Sequence, residues 1–288
     1  MRKLDLKSLL MIQLIIVTGY FGCQNSGPNR EGVQAMEDEQ PEIPATRQIV
    51  FDSTTGSIPI FYNMYLTVDI STFFAESSMQ FESSILNPST NIDNYLTSYK
   101  KALNIGTYAV DLSYVKMFDE FDYAGKYFSA MHKLSEGLGI PNEFFYEAAK
   151  RFEKNMGNRD SISYIANEIY TITDNYLKEN GRENTAALVV VGGWIEAVYL
   201  AFKVYQKSQN IEVLEKIADQ KHSLPKVLAL VDLSNDQNEF IVELIDEIKM
   251  LVPKLDTLSN SLNSEGKSIP LTEDFKKSIM KIRTEIVN

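Results

Sequence analysis

Two acidic residues lie in segments that are otherwise apolar or aromatic. Glu196 is the only charged residue in the stretch 184–202, and Asp111 is flanked at steps of three by Tyr108 and Tyr114. A carboxyl group that is buried in such surroundings needs a cation, a hydrogen-bond donor or a proton. Each acid therefore either lines a ligand-binding cavity or belongs to a structural hydrogen-bond network in the core.

The candidate ligand-binding residues are these two acids and their aromatic neighbours: Tyr108, Asp111, Tyr114, Trp194 and Glu196. We expect them to line a pocket between the helices predicted over about 93–116 and 184–206. The alternative is a core network, in which Arg182 or the tyrosines are the partners of Glu196. A carboxylate pair that hydrolyses a glycan must lie about 5–9.5 Å apart in an open cleft. The sequence does not show such a spacing, so no catalytic residue is predicted.

Metal, cofactor and nucleic-acid chemistry have little support in the sequence. The two histidines, His132 and His222, have one nearby carboxylate each, at Glu136 and Asp219. A metal site requires three or four ligands, so we predict neither a metal nor a cofactor. With 28 Lys and Arg against 39 Asp and Glu, the formal charge is 28 − 39 = −11. This acidic balance argues against a nucleic-acid surface, which requires clustered basic residues.

Beyond the N-terminal region the chain has the pattern of an all-α protein. Apolar residues recur at steps of three and four, and helix caps separate the segments. Because the connections are short, we expect a single-domain antiparallel bundle of about eight to ten helices over residues 51–288. Gly139, Gly157 and Gly181 follow predicted helices at the position where glycine adopts the left-handed conformation most easily.

The predicted helices extend over about 59–85, 93–116, 120–138, 142–156, 161–179, 184–206, a segment from 211 onward, 236–258, and 272 to the C-terminus. Pro225 either kinks the segment that begins at 211 or opens a separate short helix, and Pro253 bends or shortens the helix over 236–258. Ser234 and Gln237 have capping-box spacing, and Thr272 can cap the last helix.

The most apolar segment, 188–196, has the sequence Leu-Val-Val-Val-Gly-Gly-Trp-Ile-Glu. A phosphate-binding turn would need G-x-G-x-x-G after a strand, which is a different spacing. A transmembrane helix would place the glutamate in the bilayer, at a cost of about 2.5–3.5 kcal/mol. We favour the central helix of a bundle, in which Val189, Gly193, Ala197 and Ala201 form a stripe that lets another helix approach.

Residues 1–22 have the features of a bacterial lipoprotein signal peptide. Three basic residues, Arg2, Lys3 and Lys7, precede an apolar stretch that is shorter than the roughly 20 residues needed to span a bilayer. The stretch is followed by Cys23, which is the only cysteine of the chain and which we predict to be lipidated. An ordinary cleaved signal and an uncleaved anchor are the alternatives.

Residues 23–50 are predicted to be the lipidated cysteine and a flexible acidic linker. They contain several prolines and glycines and an acidic cluster, with almost no apolar periodicity. Removal of residues 1–22 takes away three cations and one anion, so the mature chain would carry −11 − 2 = −13. A domain this acidic would be held at an anionic membrane by its lipid and not by its charge.

Several segments resemble those of a group of predicted Bacteroidota lipoproteins. They are Leu-Asn-Ile-Gly-Thr-Tyr at 103–108, Asp-Leu-Ser-Tyr at 111–114, Arg-Glu-Asn-Thr at 182–185 and Gly-Gly-Trp-Ile-Glu at 192–196. The resemblance implies an envelope lipoprotein with an all-helical body. It implies no particular activity, since that family has none assigned.

These observations favour a lipid-anchored cell-envelope protein that acts as a binding or interaction module. Its expected partners are the membrane, through the N-terminal lipid, and a small-molecule ligand or an envelope protein, with no nucleic acid. We expect it at the outer membrane, on the periplasmic or the surface face. The alternatives are a carboxylate-based hydrolase that acts on an envelope or extracellular substrate, and a purely structural envelope protein.

Overall fold

Helices make up most of the chain in the computed structural model, which describes residues 80–155, 159–233, 238–262 and 269–288. These residues form ten α-helices and no strand, which confirms the all-α prediction for this part of the chain. The helices are α1 (Ser98–Met117), α2 (Phe121–Gly137), α3 (Glu143–Lys154), α4 (Arg159–Glu179), α5 (Glu183–Ser208), α6 (Ile211–Ala218), α7 (Leu224–Leu228), α8 (Glu239–Lys249), α9 (Leu251–Leu262) and α10 (Ile269–Val287). The predicted signal peptide, Cys23 and the linker lie outside the described residues.

Short 3-10 helices replace α-helix at three places: Ser83–Ile85, Ser89–Asn94 and Asp219–His222. The prediction of an α-helix that continues to residue 85 is therefore wrong in its described part. Pro88 disfavours helical backbone at Asn87, so no regular helix continues from one of the first two 3-10 helices into the next. Residues 80–95 instead form an irregular segment that packs across the α-helices.

The predicted helix ends are correct at some places and wrong at others. Pro225 opens the separate short helix α7, as expected for a residue that has no amide hydrogen to donate.

The helix predicted over 236–258 is two helices, α8 and α9, and Pro253 lies in the first turn of α9. α8 is capped by Asn238, whose side-chain oxygen accepts from the Ile241 amide at 3.1 Å. Ser234 and Gln237 lie outside the described residues. α10 begins at Ile269, so Thr272 lies inside the helix and does not cap it.

Two of the three predicted glycine caps lie within the described residues and are confirmed. Gly139 follows α2 with a φ of +80°, and Gly181 follows α4 with a φ of +66°. The third, Gly157, lies outside the described residues. A left-handed backbone at these two positions ends each helix and turns the chain back toward the core.

α5 is the central helix, and every residue from Ala186 to Phe202 is buried. Within the described residues it is the one helix that is long and apolar enough to cross a membrane, but 94% of its apolar window is buried inside the protein. A helix that is apolar on all sides is one surrounded by other helices. The structure therefore confirms that α5 is a core helix.

α1 and α5 make the most extensive helix–helix contact of the structure. At their crossing the two backbones touch through glycines. A Cβ atom added to Gly192 would lie 2.6 Å from the carbonyl carbon of Leu103, and one added to Gly106 would lie 2.6 Å from the amide nitrogen of Gly193. Two members of the predicted stripe, Val189 and Gly193, thus face α1, together with Gly192, which the stripe did not include. Gly106 on α1 is a matching small residue that the sequence did not single out.

The last turn of α10 is held by side chains that come from α1 and the segment before it. The ammonium group of Lys100 donates to the carbonyls of Glu285 and Ile286, and the Asn104 side chain donates to Ile286 at 2.9 Å. The Tyr95 hydroxyl donates to the carbonyl of Val287 at 3.0 Å. These donors pair with carbonyls that a helix C-terminus otherwise leaves without partners.

Replacement of Lys100 by methionine is expected to lower the free energy of unfolding by about 1–2 kcal/mol, because a cation and its charge-assisted bonds are lost at a helix C-terminus. Burial lowers the pKa of Lys100, which shows that its ammonium group is partly desolvated at this position. Urea unfolding of the variant would measure the loss. Lys216→Met, on the exposed face of α6, is the matched control and should change stability by less than about 0.5 kcal/mol. Equal losses in the two variants would contradict the capping role.

Candidate functional site

Two of the predicted site residues, Asp111 on α1 and Glu196 on α5, meet beside the helix crossing. Both are completely buried, with 0% of the residue exposed. The two carboxyl groups lie close enough for the negative charge of Glu196 to raise the pKa of Asp111. The α1–α5 packing that the glycines permit therefore places two acids side by side in the core.

Arg283 on α10 is the cation that pairs with Glu196. Its Nε donates to one oxygen of the carboxylate at 2.7 Å and its Nη2 donates to the other at 2.9 Å. Nη2 also donates to the carbonyl of Ile85 at 3.2 Å, and the guanidinium carbon lies 3.9 Å from the centre of the Tyr199 ring. A bidentate, stacked arginine of this kind is among the strongest pairings available to a buried carboxylate.

The prediction that Arg182 pairs with Glu196 is wrong. Arg182 donates from Nη1 to the carbonyl of Leu138 at 2.5 Å and thereby joins the end of α2 to the start of α5. Of the predicted tyrosine partners, Tyr199 does take part, but it contacts the guanidinium of Arg283. The arginine that satisfies Glu196 comes from the C-terminal helix, 87 residues away in the sequence.

Asp111 is tied to the segment before α1. One of its oxygens, Oδ2, accepts from the backbone amide of Asn87 at 3.1 Å. The side-chain amide of Asn87 donates to Asn104 and to the hydroxyl of Tyr95, each at 3.0 Å. The other oxygen of Asp111, Oδ1, has no hydrogen-bond partner among the described residues. We refer to Asn87, Asp111, Glu196, Tyr199 and Arg283 as the buried polar cluster.

The pKa values of Asp111 and Arg283 are both raised in this cluster, but for different reasons. Burial raises the pKa of Asp111 well above its ordinary value, and the negative charge of Glu196 raises it further, against the opposing effect of Arg283. Burial alone would lower the pKa of Arg283, but its contacts with Glu196 outweigh this and raise the pKa above the ordinary value. Each raised pKa favours the protonated form of its group, which is uncharged for Asp111 and charged for Arg283.

The three aromatic candidates lie in two different places. The hydroxyl of Tyr108 donates to the carbonyl of Pro88 at 2.9 Å, and that of Tyr114 accepts from the amide of Glu82 at 3.1 Å. Both tyrosines thus hold the segment 80–95 against α1, next to the buried polar cluster. The indole of Trp194 instead donates to Gln220 at 3.2 Å and to Ser223 at 3.3 Å. These are residues of the connection between α6 and α7.

All five candidate residues are at most 1% exposed. The predicted pocket between α1 and α5 thus corresponds to a closely packed interface, and a ligand could reach it only if the helices moved apart. Ligand binding by these residues stays a prediction. The arrangement as it stands joins four parts of the chain, namely the segment 80–95, α1, α5 and α10.

A groove on the surface lies apart from the buried polar cluster. It is open to solvent, has a volume of about 620 Å³, and is formed by the 3-10 helix Ser89–Asn94 and by α2. Its lining combines hydroxyl, carboxylate, ammonium and aromatic groups: Ser89, Thr90, Asp93, Phe121, Asp122, Lys126, Ser129 and Lys133. The sequence did not point to this groove, because its residues come together only through the packing of the 3-10 helix on α2.

Among the described residues, no group of three or more His, Cys, Asp or Glu side chains could hold a metal ion. His132 and Glu136, which share one face of α2, are bridged by Asn142. The amide of Asn142 donates to Glu136 at 2.6 Å, and its oxygen lies 3.0 Å from Nε2 of His132. This histidine–carboxylate pair therefore belongs to a surface hydrogen-bond network next to the start of α3.

No protein-family model, curated protein or solved structure matches this chain. The resemblance to Bacteroidota lipoproteins stays a prediction. The function must therefore be argued from the residues themselves.

Proposed function

We propose that this protein is a lipid-anchored protein of the bacterial cell envelope whose helical body acts as an interaction module through its outer surface. The observation that carries the proposal is the position of the only cysteine, Cys23, directly after a basic and apolar N-terminal segment. The acidic, proline-containing segment that follows it suits a tether between a lipid and a folded domain. The outer membrane, on its periplasmic or surface face, is the proposed location.

The helical body supports attachment by a lipid over attachment by a transmembrane helix. α5, the one described helix with suitable length and composition, is enclosed by the other helices. Its Glu196 is paired with Arg283, so α5 could enter a bilayer only if this buried pair were broken. A lipid on Cys23 requires no such rearrangement.

The packing also favours a surface role over carboxylate-based hydrolysis. Asp111 and Glu196 are the closest match to a catalytic acid pair, but neither has any exposed surface. A substrate bond has to reach both carboxyl groups in an open cleft. We therefore do not advance the hydrolase, and we place binding at exposed features such as the groove beside α2 and the apolar side chains of Leu96 and Tyr146, which are 80% and 66% exposed.

Lipidation should depend on Cys23. In cells that are fed a labelled fatty acid, we expect the label on the wild-type chain and its complete loss in Cys23→Ser, with the variant protein released from the membrane fraction. Lipidation requires that the cysteine directly follow the signal peptide. The double variant Cys23→Ser/Asn25→Cys, which keeps one cysteine two residues further on, should therefore also lack the label. Label that persists in Cys23→Ser would contradict the proposal.

The interaction role can be tested on protein extracted from the native membrane in mild detergent. Native mass spectrometry would detect a retained small molecule, and Gly125→Trp would test the groove, since the Cβ position of Gly125 faces open space. Photo-crosslinkers at Leu96 and Tyr146 in intact cells would detect a protein partner. A bare mass together with the absence of any specific adduct would favour a purely structural envelope protein.

A further inference from the structure

The buried polar cluster contains more acid than base. Two carboxyl groups, on Asp111 and Glu196, share one guanidinium, on Arg283, and both acids are shut off from solvent. If both were ionised, the cluster would carry a net charge of −1 in a region that is closed to bulk solvent. An uncompensated buried charge is strongly unfavourable, and one bound proton removes it.

The hydrogen bonds indicate which acid holds this proton. Both oxygens of Glu196 accept from Arg283, at 2.7 and 2.9 Å, which stabilises Glu196 as the carboxylate. Asp111 accepts only from the Asn87 amide, and its Oδ1 has no donor among the described residues. A proton on Oδ1 would turn this atom into a donor toward Glu196, and so would satisfy a buried polar atom that is otherwise without a partner.

We propose that Asp111 and Glu196 form a buried proton-binding pair, and that the segment 82–87 and α10 stay packed on the α1–α5 crossing only while the pair holds one proton. The contacts that depend on it are specific. The Asn87 amide donates to Asp111, and Arg283 links Glu196 to the carbonyl of Ile85. Loss of the proton leaves two adjacent negative charges, and these are relieved when α10 and the segment separate and admit water.

Among the residues that the structure describes, the other groups that face the pair have pKa values shifted away from this range. The neighbouring tyrosines come from the segment before α1, from α1 itself, from α2 and from α5, and burial raises the pKa of each: Tyr95, Tyr108, Tyr114, Tyr127 and Tyr199. At the edge, Glu82 is paired with Lys207, whose hydrogen bond lowers the pKa of the glutamate, and Lys203 lies over the Tyr199 ring. From α10 the facing charge is Arg283, which stays protonated.

The sign of the pH dependence follows from the shift of Asp111. Its ordinary pKa is 3.8, which applies to the unfolded chain, and in the folded protein the pKa is raised. The folded state therefore binds one more proton than the unfolded state between these two values. This contribution to stability is fully present below the lower value and is lost as the pH rises through the folded-state pKa.

Urea unfolding of the mature protein in mild detergent, compared with Asp111→Asn, tests the pair. Asparagine is neutral at every pH and can donate to Glu196 in the same way. The measured quantity is the ratio of the unfolding equilibrium constant of the wild type to that of Asp111→Asn. This ratio should rise about tenfold per pH unit from about pH 5 to about pH 7. Asp256→Asn, on the exposed face of α9, is the matched control, and its ratio should stay constant. A constant ratio for Asp111→Asn would overturn the proposal.

Two measurements that need no stable variant complete the test. At neutral pH the exposed carboxyl groups are ionised, so infrared spectroscopy should show the carbonyl band of a protonated carboxylic acid in the wild-type protein. Absence of that band would overturn the proton-binding pair. Amide hydrogen exchange, compared with the intrinsic rate at each pH, should lose protection in segment 82–87 and α10 before α6 as the pH rises. Simultaneous loss of amide protection in segment 82–87, α10 and α6 would overturn the proposed separation of the segment and α10 from the α1–α5 crossing.

Discussion

Replacement of Gly192 by alanine is expected to lower the free energy of unfolding by about 3–5 kcal/mol. The added methyl carbon would lie 2.6 Å from the carbonyl carbon of Leu103 and 2.8 Å from its Cα. These are backbone atoms of α1, and they cannot rotate aside as a side chain would. α1 and α5 must therefore separate, which loosens the packing of the buried residues around their crossing. The helix preference of alanine over glycine, about 1 kcal/mol, is too small to compensate.

The matched control is the same substitution at Gly125, inside α2. No atom lies within 4 Å of the Cβ position there, so alanine only reduces the freedom of the unfolded chain. We expect Gly125→Ala to raise the free energy of unfolding by about 0.5–1 kcal/mol. Urea unfolding of both variants would measure the two effects. Stabilisation by both substitutions would show that the helices are not in backbone contact at Gly192.

Replacement of Arg283 by methionine is expected to lower the free energy of unfolding by about 3–5 kcal/mol. Methionine keeps much of the volume of the side chain but removes both hydrogen bonds to Glu196 and the bond to the Ile85 carbonyl. Glu196 then faces Asp111 in the core with no cation beside it. The loss arises mainly from leaving a buried carboxylate unpaired, because the intact pair itself contributes little net stability over an apolar replacement.

A second substitution separates the cost of the unpaired carboxylate from the net contribution of the intact ion pair. In Arg283→Met/Glu196→Gln the unpaired charge is gone, so the double variant should recover a substantial part of the stability lost in Arg283→Met. Lys249→Met breaks a pair of matched type on the surface, where Lys249 and Asp246 are 54% and 62% exposed, and should cost less than about 1 kcal/mol. If Arg283→Met costs no more than Lys249→Met, the buried pair is not important for stability.

The sequence predicted the central helix and its small-residue face because both depend on local composition. A stretch with one charge in nineteen positions, 184–202, requires enclosure on all sides, and adjacent glycines in a helix indicate close contact with another element. Glu196 and Asp111 were identified for the same reason, since an acid in apolar surroundings is conspicuous. The irregular segment 80–95 was mispredicted, because its 3-10 helices, Ser83–Ile85 and Ser89–Asn94, are too short to show a periodicity.

The partners of these acids could not be found in the same way. Arg283 lies far from Glu196 in sequence, and only the packing of α10 on α5 brings the two together. Its one local signal is its place beside the apolar stripe of α10, since Ile279 and Ile286 are fully buried four residues before it and three residues after it. Asn87 gave no signal, because its role depends on a backbone amide. The sequence also could not show that the predicted pocket is closed, because exposure is a property of the assembled helices.

The position of Arg283 has a consequence for how the protein is made. Arg283 supplies the cation for Glu196 and links the Ile85 carbonyl to α5, and it lies on α10, which the ribosome synthesises after α1 and α5. Until α10 emerges, Glu196 has no cation beside it. Packing of α1 against α5 would then bury an unpaired carboxylate, which is unfavourable. If the proposed signal directs export while the chain is still being synthesised, α1 and α5 would cross the membrane before α10 could complete the core around Glu196.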